Sequence, residues 1–93
     1  MSGTAKSKVF FENDRVIVTE WRMAPGTNTG WHRHGHDYVV VPLVDGKVKL
    51  ETKEGPGFAE NKQGVPYFRN EGVEHDVINA ESKEYTFIEI ELK

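Results

Sequence analysis

The sequence predicts a single all-β domain, and three observations carry that reading. Segments rich in Val, Ile, Thr and aromatic residues recur along the whole 93-residue chain, at a spacing of about 8–12 residues. Turn-forming Gly, Pro, Asn and Asp separate them. No segment combines a 3.6-residue apolar repeat with helix caps.

Taken in order, Lys8–Phe11 (KVFF) is a strand closed by a polar turn at Glu12-Asn13-Asp14. Val16–Met23 (VIVTEWRM) follows, β-branched and aromatic throughout. The loop Ala24-Pro25-Gly26-Thr27-Asn28-Thr29-Gly30 leads to WHRH and then to the apolar run Tyr38–Val44. That run ends at Asp45-Gly46, a short hairpin signal. Lys47–Glu54 alternates neutral and charged residues, as a half-exposed strand does, before a turn at Gly55-Pro56-Gly57. Short strands are expected at Phe58–Glu60, Val65–Phe68 and His75–Asn79. Tyr85–Leu92 alternates cleanly, with Thr86, Ile88, Ile90 and Leu92 on one face and Tyr85, Phe87, Glu89 and Glu91 on the other.

Strands of this number and length form a β-sandwich or a closed barrel, and closure limits the exposed edges of so short a chain. Residues 1–7, small and polar, are expected to be a disordered tail, and residues 8–93 the domain. The core is modest at this length. With no cysteine to staple it, a bound metal or dimerisation would add stability. The strand at Lys8–Phe11 offers a sheet edge to a neighbour, so a homodimer is expected.

Composition excludes several functions. A formal charge of −3, from 12 basic and 15 acidic residues spread along the chain, lacks the basic footprint of a nucleic-acid binder. The run Tyr38–Val44 is far short of the ~20 residues of a membrane span. The opening MSGTAKSK has no apolar stretch to act as a signal peptide, so cytoplasmic residence is the expectation. Absence of cysteine removes thiolate nucleophiles and iron–sulfur clusters. Ser2, Ser7 and Ser82 lie away from every histidine in sequence, which disfavours a serine triad.

The four histidines fall in two places: His32, His34 and His36 together, and His75 alone. On an extended strand His32 and His34 share a face ~6–7 Å apart. Two imidazoles so placed converge on one ion at ~2.0–2.1 Å. A third ligand from a distant strand would leave coordination positions open, and His75 is the remaining imidazole outside the cluster. A solvated strand face is the alternative reading of HxH alone.

The wider pattern resembles the cupin family. Gly26, five residues, His32-Arg33-His34, a hydrophobic strand and Gly46 look like the first cupin motif. Gly64, five residues, Asn70-Glu71-Gly72-Val73-Glu74-His75, three residues and Asn79 look like the second, with Asn70 in place of the usual proline. The match covers Gly26 to Asn79, with a short stretch between motifs as in small, single-domain cupins of the cupin-2 type. The segments HRHGHDYVVVPLVDG and YFRNEGVEHDVIN are similar to a bacterial subgroup named for β-alanine degradation.

This resemblance implies a jelly-roll β-barrel that binds one divalent metal ion (Fe, Zn, Ni or Mn) through His32, His34 and His75. One departure stands out: the first-motif glutamate is absent, its place falling on Tyr38 or Val39. Asp37, the nearest acid, comes one residue early. Three neutral imidazoles would leave the full 2+ charge uncompensated, which favours an anionic substrate.

Tyr38 is the candidate acid/base, with packing as the alternative. Arg69 is a candidate carboxylate clamp, Tyr67 shares its face, and His36 is a further candidate ligand or substrate contact unless the turn at Gly35 swings it away. Trp21, Met23 and Trp31 are expected in core or pocket wall, and Asn79 is expected to fix a turn. The functional expectation is a mononuclear metalloenzyme of small-molecule metabolism, of dioxygenase, isomerase or decarboxylase type, acting on a carboxylate-bearing metabolite. The alternative is a non-catalytic barrel that serves as sensor, carrier or accessory protein.

Overall fold

A computed structural model describes residues 4–93 as an all-β fold without helix. The strands, in chain order, are β1 (Lys6–Glu12), β2 (Val16–Met23), β3 (His32–Arg33), β4 (Asp37–Pro42), β5 (Gly46–Thr52), β6 (Gly55–Asn61), β7 (Tyr67–Arg69), β8 (Glu74–Asn79) and β9 (Tyr85–Leu92). They form two antiparallel sheets, ordered β1-β2-β9-β4-β7 and β3-β8-β5-β6. This is a single-domain jelly roll, as the sequence predicts.

The core lies between the sheets. Met23, Tyr38, Val40, Val48, Tyr85 and Phe87 are its buried apolar residues. Strand pairing fixes which faces meet there. Tyr67, Val40, Glu89 and Thr19 form one cross-strand row on the inner face; Arg69, Tyr38, Glu91 and Ile17 form the next. On β9 the inward face is therefore Tyr85, Phe87, Glu89 and Glu91, while Ile88 and Ile90 point outward. Outside, Phe11, Val18, Ile90, Val39 and Phe68 line up across all five strands. Phe11 and Phe68 are about half exposed, at 54% and 49%.

Four expectations change. The first strand begins at Lys6, not Lys8, because Lys6 and Ser7 pair with Arg22 and Trp21. Of the expected tail, residues 1–3 lie outside the described residues. Asp45-Gly46 does not close a hairpin, since β4 and β5 belong to different sheets. Instead, Gly46 lets the backbone lie against the Tyr85 ring, where a Cβ would overlap the aromatic carbons. The turn expected at Gly55-Pro56-Gly57 falls at Lys53-Glu54, with Thr52 opposite Gly55. Pro56 then sits in β6, an edge strand, where its missing N–H costs no ladder bond.

Trp31 is 53% exposed rather than in core or wall. It lies next to His32 and takes the opposite face. Asn79 behaves as expected: its buried amide donates to the carbonyls of Met23 (2.9 Å) and Lys83 (2.8 Å) and accepts from the Glu81 N–H (2.9 Å). These bonds tie the end of β8 to the end of β2 and to the turn before β9, holding the two sheets together.

Candidate metal centre

The site begins with a strand pair. β3 and β8 run antiparallel with His32 directly opposite His75, so both side chains leave the sheet on one side. Two residues beyond His32, His34 returns to the same face. Its backbone is held by His34 N–H to Val73 C=O (2.9 Å) and Gly72 N–H to His34 C=O (2.8 Å). Gly72 adopts φ +95°, a left-handed turn that brings the loop close enough for this pair of bonds.

The three Nε2 atoms converge. His34 Nε2 lies 2.9 Å from His32 Nε2 and 3.1 Å from His75 Nε2. Two nitrogens bound to one ion at ~2.1 Å and at right angles would sit ~3.0 Å apart, so His34 is spaced from each of its two neighbours as co-ligands of one ion would be. His34 Nε2 carries at most one proton and cannot bridge both neighbours by hydrogen bonds. A shared cation resolves the meeting of lone pairs, and the residues fit one.

The tautomer of His32 follows from its other nitrogen. Nδ1–H donates to the Gly30 carbonyl (2.7 Å), leaving Nε2 unprotonated toward the cluster. The Gly30 loop is itself anchored by Asp76, whose carboxylate accepts from the Gly30 N–H (3.0 Å) and from the Asn28 amide (2.9 Å). Burial, reinforced by His32 and His75, lowers the His34 pKa to about 4. Burial, then His32 and Arg69, lowers His75 to about 4 as well. Both are therefore neutral near pH 7, with lone pairs available.

Tyr38 occupies the neighbourhood that the missing glutamate would fill. Its ring stacks on His34, with centroids 3.9 Å apart and planes at 19°. Its buried hydroxyl has no partner among the described residues. Burial and the nearby Glu89 raise the phenol pKa well above the ordinary value, so it stays protonated. Asp37, the nearest acid in sequence, is exposed and accepts instead from the Glu71 N–H (2.7 Å).

A cavity of about 60 Å³ opens beside the histidines, lined among others by Trp21, Tyr38, Tyr67, Arg69, His75 and Glu89. Arg69 lies over the Tyr67 ring, 4.5 Å from its centroid, and donates to the Phe68 carbonyl (2.9 Å). His36 lines neither the cavity nor the cluster, because the bend at Gly35-His36 breaks the alternation. Sequence reading does not single out Asp76 or Glu89. Asp76 carries no local signal. Glu89 does, since strict alternation puts it on the face of Tyr85 and Phe87. It is 8% exposed, and burial together with Glu91 raises its pKa to about 7.

No protein-family model matches the chain. The β-alanine degradation protein BauB of Pseudomonas aeruginosa is 57% identical over 95 residues, covering 100% of both chains. A crystal structure of a cupin domain from Bordetella pertussis Tohama I is 52% identical with a TM-score of 0.98, over 100% of this chain and 97% of that one. The polyketide cyclase RemF of Streptomyces resistomycificus, 18% identical, superposes with a TM-score of 0.75 over 98% of this chain and 68% of its own. The last is a likeness of fold.

Two predictions follow from this geometry. His75→Ala should abolish binding of a divalent ion measured by titration, and Asp76→Ala should weaken it by roughly tenfold or more through the loosened Gly30 loop. Unchanged affinity in Asp76→Ala would remove the loop from the account. Glu89 is ionised more readily in the unfolded chain than in the fold, so its burial costs stability as pH rises from about 4.5 through about 7. Glu89→Gln should therefore raise the midpoint of thermal unfolding at pH 8 and leave it unchanged at pH 4. A pH-independent effect would contradict the assignment.

Proposed function

Because the chain belongs to the cupin superfamily, in the group that includes the β-alanine degradation protein BauB, we propose that it is a mononuclear metalloenzyme acting on a small carboxylate-bearing metabolite. The reaction is of dioxygenase, isomerase or decarboxylase type. The observation that carries this reading is the convergence of three imidazoles beside a cavity with polar groups and aromatic walls. A divalent ion supplies Lewis-acid polarisation of a ligand oxygen and, if redox-active, oxygen chemistry.

The chain's own residues do the rest. His32, His34 and His75 would hold the ion. Tyr38 keeps its proton and donates a hydrogen bond to a substrate oxygen. Arg69, braced on Tyr67, clamps the carboxylate. The name of the 57% identical relative puts β-alanine first among compounds to test. A binding barrel without turnover is the second reading. It is favoured by the deep burial of the Tyr38 phenol, whose raised pKa suits donating a hydrogen bond better than shuttling a proton.

We also assign the outer face of the five-stranded sheet to a second copy of the chain. The row from Phe11 to Phe68 is apolar across every strand. A footprint of about 24 by 20 Å, ~500 Å² on each copy, brings a face-to-face pair near the ~1,000 Å² that a specific interface needs. β1, exposed along its whole length, borders that face.

Elemental analysis of untagged protein should find close to one equivalent of a transition metal. Iron-loaded protein should consume oxygen, or another metal form should convert substrate, with β-alanine or a small 2-oxo or 1,3-dicarbonyl acid. Metal without turnover across the panel favours the binding barrel, and protein that never takes up metal refutes both. Light scattering should give a dimer for the wild type and a monomer for Phe68→Asp. A monomeric wild type at micromolar concentration would refute the pairing.

A further inference from the structure

Glu89 stands apart from everything the metal centre requires. It lies on β9 in the inner row with Thr19, Val40 and Tyr67, and it lines the cavity beside the histidines. It is not part of the histidine cluster. The residue is 8% exposed. Its carboxylate oxygens are not among the fully buried unpartnered atoms and so stay open to the cavity it lines, and among the described residues no cation pairs with it. A buried carboxylate without a partner is costly, and a fold that keeps one has a use for it.

The opposite charge is nearby but not paired with it. Arg69 lines the same cavity from β7 and forms no ion pair with Glu89. β4 lies between their strands, and their register differs by two residues. Strand spacing and rise put the two Cα atoms roughly 12 Å apart. On the intervening strand, the Tyr38 hydroxyl is a buried donor without an acceptor among the described residues. The cavity wall thus has an unused donor at Tyr38, toward Arg69, and an acceptor at Glu89.

A neutral ligand would leave the carboxyl group unsatisfied, and a plain carboxylate would engage the donors while leaving Glu89 alone. A ligand carrying both charges satisfies both ends. We propose that Glu89 is the ammonium-binding residue of this cavity, which therefore accepts a small zwitterion with its carboxylate toward Arg69 and Tyr38. Glu91, on the same strand, adds negative potential that favours the cation. On the facing strands the titratable or charged groups are Tyr38, Tyr67 and Arg69. This inference rests on the proposed carboxylate-binding site for the position of the anionic end and adds the group that selects the other.

Calorimetric titration of the metal-loaded protein with β-alanine, propionate and propylamine tests it. These share a three-carbon chain and differ in which charges they carry. The wild type should bind β-alanine at least about tenfold more tightly than propionate, as a charge-assisted hydrogen bond implies. Glu89→Gln, close in shape, should remove that advantage while changing propionate binding less than about twofold. Equal binding of β-alanine and propionate by the wild type overturns the ammonium site and leaves the carboxylate reading standing. Glu89-dependent binding of propylamine, with none of propionate, upholds the ammonium site and overturns the carboxylate reading. Binding of none of the three overturns both. The wild-type comparison decides the question even if the variant folds poorly.

Discussion

The pairing of His32 against His75 across β3 and β8 is the constraint on which the site depends. β3 contributes only two residues to the sheet, so little of its own ladder holds it in register. Its position comes from neighbours: the Val73 and Gly72 bonds to His34 on one side, and the Asp76–Gly30–His32 chain on the other. Through these bonds a two-residue strand and the residue just after it carry two of the three converging imidazoles. The third comes from β8, which Asn79 and its pairing with β5 fix to the rest of the barrel.

Electrostatics and packing point the same way. Burial keeps His34 and His75 neutral, which is the state a metal ligand needs. Where the family pattern would place a carboxylate, Tyr38 stacks on His34 instead and brings no charge. The negative charge available to the cavity lies on Glu89, away from the cluster and on the opposite sheet. An ion held by the histidines would stay positive with the carboxylate at a distance, giving the site two poles of opposite sign. That separation supports both the metal reading and a doubly charged ligand.

Much of this was legible in the sequence, and the exceptions have physical causes. HxH spacing places two ligands on one strand face, and the second histidine motif supplies the third. Asn79 reads correctly because turn chemistry is local. Asp45-Gly46 misleads because the same dipeptide serves a hairpin and a crossing between sheets, and local residues do not say which. Glu89 stays hidden because a charged residue between isoleucines looks exposed. The alternation on β9 separates its two faces, but hydropathy alone would put the isoleucine face inside. Here the outer face is apolar too, and only the strand order reveals that the aromatic face is the inner one.

The most direct measurement is a crystal structure of the metal-loaded protein with anomalous diffraction at the metal edge. It should show a single ion bound by Nε2 of His32, His34 and His75 at ~2.0–2.2 Å, with open positions toward the cavity. An ion held elsewhere, or imidazole nitrogens turned apart so that no common cation reaches them, would contradict the account.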